Sequence, residues 1–209
     1  MKTKTATKVP CKRDPDKTRD MILSAAFEEV YRHGFQGASL DAILARAGVT
    51  KGALYHHFAN KVELGYAIVD EVIMQRIQES WLDPIEQSEN PVDALLGMLR
   101  TQGEILSREM MEAGCPLNNL AQEMSPLDEG FRIRLATVFE RWREGIATAL
   151  EKGKERNQVA KDVNTNGAAA FFVAAIEGFV GLLKSSHDMS ILNSAGAELA
   201  GYLEGLRPH

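Results

Sequence analysis

The sequence predicts an all-α protein, in which a small N-terminal three-helix unit precedes a larger helical domain. Three observations support this fold class. Apolar residues recur at helical spacing, residues that favour helix N-caps precede these periodic segments, and no stretch alternates in the manner of a strand. The 209 residues can bury a substantial core. We expect an arm over residues 1–17, the small unit over 18–61, and the larger domain over 62–209.

The first predicted helix begins near Thr18 and ends at Gly34. Its apolar residues, among them Ile22, Ala26 and Val30, recur every four positions and should bury one stripe. The second predicted helix follows Ser39, whose hydroxyl suits an N-cap. It should end at Gly48, because a tight turn there needs a residue that tolerates a positive φ.

A third helix, over residues 51–57, follows Thr50 as its N-cap. It is too short to be stable alone, and only Leu54 and Phe58 are obvious inward anchors, so the other side chains must face outward. Two helices joined by one short turn have the shape of a helix-turn-helix. In such a unit the second helix enters the DNA major groove, with its N-terminal residues at the base edges.

The outward residues of the third helix suit DNA. At its N-terminus, Lys51 can donate to guanine, the hydroxyl of Thr50 can donate or accept, and Gly52 permits close approach. Candidate phosphate donors are Tyr55, His57 and Lys61. A surface cluster without a partner is the alternative interpretation. A metal site at His56 and His57 is disfavoured, because neighbouring helical side chains point about 100° apart and no third ligand follows at i+4.

This segment resembles the DNA-binding domain of the TetR/AcrR family of transcriptional regulators, over about the first third of the chain. The resemblance implies a helical dimer that binds a palindromic operator, usually represses, and is released by a small molecule. It also implies base-reading positions from Thr50 to Ala53 and phosphate contacts at Tyr55, His57 and Lys61. Ser39 and His56 complete the residues expected at the DNA. The family resemblance depends on Ile22, Ala25, Ala26, Gly34, Phe35, Ser39, Ile43, Ala47, Gly48, Val49, residues 51–58 and Lys61.

Charge is distributed unevenly along the chain. Residues 1–60 contain 10 Lys and Arg against 6 Asp and Glu, a formal charge of +4, whereas residues 61–209 carry −9. Local positive charge is what binding to phosphates requires, so the acidic total does not argue against DNA. The arm lacks the apolar core of a signal peptide, and we expect a cytoplasmic protein. Whether the arm touches DNA or is an inert tail stays open.

Besides a helix that begins with Pro116 and one over residues 190–206, four more helices are expected beyond Lys61. A connecting helix should span residues 62–81 and lead to one that starts at Asn90-Pro91 and extends towards Arg108. The Ser125-Pro126 pair resembles that start signal, with Asp128 at N3, ahead of a long helix that reaches Leu150. The fourth lies within residues 166–185. It is apolar on nearly every face, but its uninterrupted apolar run is too short to cross a bilayer.

The last two helices are expected to pair two copies of the chain. Small residues in the apolar segment permit close packing, and residues 190–206 supply a partner helix. The family resemblance also implies a dimer interface here, which would set two recognition helices about one DNA turn apart. A purely intramolecular core is the alternative.

Cys115 is a candidate sensor. It should be the N-cap of a helix that begins with Pro116, where the helix N-terminus would lower the pKa of the thiol and favour the reactive thiolate. The segment around it resembles a NemR-like branch of the family, in which a cysteine at this point takes part in electrophile sensing. A small buried structural cysteine is the other interpretation. Cys11 lies in the arm, and no disulfide is expected.

A non-covalent effector pocket is the second possible route to regulation. Met and aromatic side chains on helices that could converge suit an apolar or aromatic effector, although such residues are also ordinary core. The candidates are Met110, Met111, Phe139, Trp142 and Phe172. No catalytic triad, metal spacing or phosphate-binding loop is evident, so we expect neither an enzyme nor a cofactor. A helical interaction protein that has lost DNA binding is the alternative function.

Overall fold

The computed structural model describes residues 15–105 and 108–208, without the side-chain surroundings of residues 15, 105 and 108–110. Within those ranges the chain forms helices and no strand, which confirms the all-α prediction. The helices are α1 (Pro15–Gly37), α2 (Leu40–Ala47), α3 (Lys51–His57), α4 (Lys61–Ala67), α5 (Met74–Ile77), α6 (Asp83–Gln87), α7 (Pro91–Ile105), α8 (Arg108–Ala113), α9 (Pro116–Met124), α10 (Glu129–Glu155), α11 (Thr165–Ser186) and α12 (Met189–Glu204).

Helix α1 packs across α2 and α3 through the predicted apolar stripe, in which Ile22 and Ala26 are fully buried. It begins at Pro15, so three residues that we expected in the arm are helical. The rest of the arm, with Cys11, lies outside the described residues. Gly34 interrupts the helix with φ 75° and ψ 167°, a backbone that side chains with a Cβ rarely adopt. The predicted break at Gly34 is confirmed.

The turn between α2 and α3 and the N-caps of both helices agree with the prediction. Gly48 adopts the left-handed conformation, with φ 62° and ψ 34°. The hydroxyl of Ser39 accepts a hydrogen bond from the N–H of Ala42 at 3.4 Å, and that of Thr50 accepts one from the N–H of Ala53 at 3.2 Å. Each predicted N-cap therefore starts its helix where the sequence indicated.

The connection out of this unit is longer and less regular than the predicted helix over residues 62–81. The backbone stays helical from Lys61 to Gln87, but π-helical turns at Ile68–Ile73 and Gln78–Leu82 separate α4, α5 and α6. In a π-turn, residues five apart share a face. Ile68 and Ile73 are both buried, so the wider turn keeps the two side chains in the core.

Helix α10 runs through the centre of the larger half and begins later than predicted. Ser125 is the C-cap of α9, and the N–H groups of Leu127 and Asp128 bond to the carbonyl of Met124. These bonds extend the end of α9 across the Ser125-Pro126 pair, so that pair cannot start a helix. Asp128 is the N-cap of α10, not its N3 residue, and accepts a hydrogen bond from the N–H of Phe131 at 2.9 Å.

Helices α11 and α12 pack on each other, and α11 also packs along α10. Ala169 and Phe172 of α11 are buried, whereas Phe171 and Leu182 remain 51% and 54% exposed. Among the described helices, α11 alone is long and apolar enough to span a membrane, although core helices of water-soluble proteins meet the same criteria. Within α11, Glu177 is buried rather than solvated.

Candidate nucleic-acid interface and effector site

Two buried side chains fix the orientation of α3. Leu54 and Phe58 are 1% and 4% exposed, so the predicted anchors are confirmed. Because they hold one face against α1, the opposite face must point outward. Tyr55 lies on that face with 42% of its surface exposed, and His56 is exposed beside it. His57 is half-buried, with its ring centroid 5.2 Å from that of His56.

The N-terminal turn of α3 carries the predicted base-reading residues. Thr50, Lys51 and Gly52 are exposed, and Ala53 is half-buried. The ammonium of Lys51 lies 5.9 Å from the centroid of the Tyr55 ring. No contact within the described part of the chain requires glycine at position 52, because a Cβ there would meet only the Thr50 hydroxyl, at 3.9 Å. A glycine within a helix lowers stability by about 0.5–1 kcal/mol relative to alanine. Because the protein's own packing does not need this glycine, its small size suits an external surface that approaches the helix closely.

Lys61 is already engaged inside the protein. Its Nζ donates to the carbonyls of Ala38 at 2.7 Å and Gln36 at 3.2 Å, and it lies 5.0 Å from the centroid of the Phe35 ring. Burial lowers the pKa of this ammonium. An ammonium has three donors, so one N–H remains for a phosphate. Phosphate contact by Lys61 stays a prediction, and the structure adds that the residue holds the α1–α2 connection.

Ser39 is also bound within the protein. Besides capping α2, its N–H donates to Oε1 of the buried Glu29 at 3.2 Å. Over the described residues, no group of three His, Cys, Asp or Glu side chains could hold a metal ion.

Three hydrogen bonds, which the sequence did not indicate, connect α1 to the Cys115 segment, residues 114–123. The hydroxyl of Tyr31 donates to the carbonyl of Gly114 at 2.8 Å. The carboxylate of Glu123 accepts from the N–H groups of Phe35 and Gln36, both at 2.8 Å. These partners lie 83 to 88 positions apart, so no local sequence pattern could have paired them.

Cys115 is the N-cap of α9 with Pro116 in its first turn, as predicted, but the predicted effect on its thiol is wrong. Burial and the nearby Glu177 carboxylate raise the pKa of the Cys115 thiol. Hydrogen bonds from the N–H groups of Asn118 and Leu117 lower this pKa, as expected at a helix N-terminus, but by less than burial and Glu177 raise it. The thiol donates a hydrogen bond to Oε1 of Glu177 at 3.2 Å, so the protonated form is the one that the fold stabilises.

The four predicted effector residues whose side chains the structure describes do not line one common cavity. Trp142 and Phe172 are core side chains, 1% and 0% exposed, and both rings contact Trp81. Phe139 is half-buried and lines a cavity between α10 and α11. Met111 is half-buried, and the side chain of Met110 lies outside the described ones.

A different cavity, of about 490 Å³, has the apolar walls expected of an effector site. It lies between α7 and the last two helices, with Trp81 at one side. No local sequence pattern indicates this cavity, because its walls come from segments far apart in the chain. Its apolar lining includes Leu96, Leu99, Ile176, Phe179, Leu183 and Leu192.

Known proteins resemble this chain along most of its length. Residues 22–68 match the family described as bacterial regulatory proteins, tetR family, and residues 91–198 match the tetracyclin repressor-like C-terminal domain. An uncharacterised HTH-type transcriptional regulator of Lactococcus lactis is 30% identical over 178 residues, covering 85% of this chain and 88% of its own. The transcriptional regulator AcuR of Cereibacter sphaeroides is 28% identical over 170 residues, covering 80% and 76%. The crystal structure of E. coli NemR in its reduced form shares 25% identity, with a TM-score of 0.77 over 88% of this chain and 95% of that one.

Proposed function

The chain belongs to the TetR family of transcriptional regulators, and on that premise we propose that it is a homodimeric repressor of a palindromic operator, released by a small molecule. The observation that carries this proposal is the outward face of α3, where Tyr55 and the exposed N-terminal turn are held by the buried Leu54 and Phe58. Its place of action is the cytoplasm, where operator DNA is accessible. The helix-turn-helix DNA-binding domain spans residues 18–61, and the effector-binding and dimerisation domain spans 62–209. Within the latter, residues 62–81 connect the two domains.

The dimer forms through the exposed apolar face of α11 and α12. Phe171, Leu182 and Tyr202 are 51%, 54% and 37% exposed, and the rings of Phe171 and Tyr202 lie 4.6 Å apart. Large apolar side chains grouped on one face are typical of a protein interface. A second copy would cover them and place its own α3 for the other half of the operator.

The effector acts in the larger domain, where the apolar cavity beside Trp81 offers about 490 Å³ for a small apolar molecule. Release then requires that a change there reach α1. The hydrogen bonds of Tyr31 with Gly114, and of Glu123 with Phe35 and Gln36, are direct polar links that support such a route.

An electrophile that modifies Cys115 is a second candidate effector, favoured by the contact of this segment with α1. Alkylation would replace the thiol proton, remove the hydrogen bond to Glu177 and add volume next to Gly114. Because the pKa of the thiol is raised, this route requires local opening around Cys115 before the thiolate forms. A maleimide or quinone should then release DNA from the wild type but not from Cys115→Ser.

The experiment that tests the function is binding to the DNA upstream of the chain's own gene. We expect a gel shift with that fragment and a footprint with two-fold symmetry, whose half-sites are about one DNA turn apart. A variant that combines Tyr55→Phe with Lys51→Ala should lose the shift while keeping its mass in solution and its helicity. Absence of any shift by the wild type would favour the alternative of a helical interaction protein.

A further inference from the structure

One buried carboxylate has an oxygen that the function proposed above does not use. Glu177 lies in the middle of the apolar helix α11 and is only 8% exposed. Its Oε1 accepts the hydrogen bond of the Cys115 thiol, but its Oε2 is buried and has no hydrogen-bond partner among the described residues. A buried carboxylate oxygen without a donor is unfavourable, so a missing donor would be bound well here.

A cavity lies beside this carboxylate. It has a volume of about 420 Å³, is open to solvent, and is lined by residues of α9, α10 and α11 that include Glu177 itself. Phe139, Val173 and Ala174 contribute apolar walls, and Asn118 adds an amide. Arg143 is also part of the lining, but its guanidinium is paired with Glu140 at 2.9 Å. The lining therefore combines an aromatic surface with the side chain of Glu177, whose unpartnered Oε2 is buried behind it.

We propose that this cavity binds a small organic cation, which draws the Glu177 carboxylate towards the cavity so that its ammonium group donates to Oε2 while its apolar body lies against Phe139 and Val173. A charge-assisted hydrogen bond in a poorly solvated site is stronger than a neutral one. The aromatic ring adds attraction for a cation and contact area for an apolar body. An anion would be repelled by the same carboxylate, so the site selects by charge as well as by shape.

Binding of the cation should also affect operator binding, and this part of the proposal rests on the proposed function. The site is connected to α1 by hydrogen bonds. Glu177 also holds the Cys115 thiol, and Cys115 directly follows Gly114, whose carbonyl accepts from Tyr31 of α1. A cation that draws the carboxylate towards the cavity competes with the thiol for it. The Cys115 segment can then shift, and the hydrogen bond to Tyr31 shifts with it.

The test compares 2-phenylethylammonium with 2-phenylethanol, which has a similar shape but no charge. Binding to the full chain is measured by titration calorimetry and by the shift in Tm. We expect the cation to bind about tenfold or more tightly than the alcohol, in line with the strength of a charge-assisted bond. Glu177→Gln should abolish the difference, since its amide keeps the shape but loses the charge. Glu129→Gln, which removes a carboxylate of α10 outside the lining, should preserve the difference.

Equal affinity for the two probes, no binding of the cation, or an unchanged preference in Glu177→Gln would each overturn the proposed site. A far-ultraviolet circular dichroism spectrum identical to the wild type shows that Glu177→Gln has folded. Operator binding is measured separately. If the wild type binds no operator DNA, the proposed function fails while the calorimetry still decides the cation site. If it binds DNA but the cation leaves the affinity unchanged, only the connection to α1 is rejected.

Discussion

The carboxylate of Glu123, on α9, lies 2.8 Å from the backbone nitrogen of Phe35, immediately after the helix break at Gly34. A second oxygen of the same carboxylate holds the N–H of Gln36 at 2.8 Å. Gly34 makes this arrangement possible in two ways. Its φ of 75° turns the chain, and a Cβ at this position would lie 2.9 Å from Glu123 Oε2. One residue of the larger domain thus caps the segment that leads from α1 to α2.

Glu123→Gln should loosen this connection without unfolding the protein. The amide oxygen of glutamine can replace only one of the two acceptors, and it carries no charge, so we expect a loss of about 1 kcal/mol in stability. Hydrogen exchange measured by mass spectrometry should become faster for the amides of Phe35 and Gln36. Glu129→Gln is the control, because Glu129 pairs with Arg132 on the surface of α10. Equal exchange in the two variants would contradict the assigned role of Glu123.

Gly52→Ala should separate folding from DNA binding. The added Cβ has space within the protein, and alanine favours helices by about 0.5–1 kcal/mol over glycine, so the Tm should stay equal or rise. Operator affinity should fall, because the methyl group would face the DNA bases. Gly97→Ala in α7 is the matched control, since a Cβ there also has space. It should raise the Tm and leave the affinity for DNA, measured by fluorescence anisotropy, unchanged.

Tyr55 and Lys61 should differ in what their loss affects. Tyr55→Phe removes an exposed hydroxyl, so we expect weaker operator binding with an unchanged Tm. Lys61→Met should lower both the operator affinity and the Tm, because the ammonium also donates hydrogen bonds to the carbonyls of Gln36 and Ala38. If Lys61 contacts one phosphate, the slope of log affinity against log salt should fall by about 0.9. Lys152→Met, on the exposed surface of α10, is the control and should alter neither the operator affinity nor the Tm. If Lys61→Met keeps the wild-type salt slope, Lys61 does not contact a phosphate.

Cys115 should react slowly in the native protein. Since burial and the Glu177 carboxylate raise the pKa of the thiol, little thiolate is present at neutral pH, and the rate of alkylation by iodoacetamide should still be rising above pH 9. The measurement uses Cys11→Ser, so that mass spectrometry follows Cys115 alone. Glu177→Gln in that background should react faster, because it removes a negative charge that opposes ionisation. Alkylation at the rate of a free cysteine at pH 7 would show that Cys115 is not held as described.

Leu182→Glu should dissociate the proposed dimer. A charge at this position, which is 54% exposed, would face the partner subunit across an apolar interface. Light scattering after size-exclusion chromatography should give the monomer mass, and operator affinity should fall although α3 is unaltered. Ile133→Glu is the control, since Ile133 is 50% exposed on α10. A dimer mass for both variants would place the interface elsewhere.

The sequence by itself determined the local elements, because their causes lie within a few residues. The N-caps Ser39 and Thr50 each accept a hydrogen bond from an N–H three positions ahead, and Gly48 supplies the left-handed turn. Apolar spacing likewise indicated that Leu54 and Phe58 face inward. These short-range rules also located the outward face of α3, which is most of the candidate DNA interface. They were insufficient at Ser125-Pro126, where the last turn of α9 uses the residues that resemble a helix start.

Only the tertiary structure decided how the thiol of Cys115 behaves and how the two halves of the chain meet. The position of Cys115 at a helix N-terminus favours a thiolate, but burial of the thiol and the carboxylate of Glu177, 62 residues away, together raise its pKa instead. In the same way, Glu123 reaches Phe35 across 88 positions, and Trp81 brings Trp142 and Phe172 together in the core. Desolvation and pairing of distant groups depend on packing in three dimensions, which helical periodicity and capping signals do not encode.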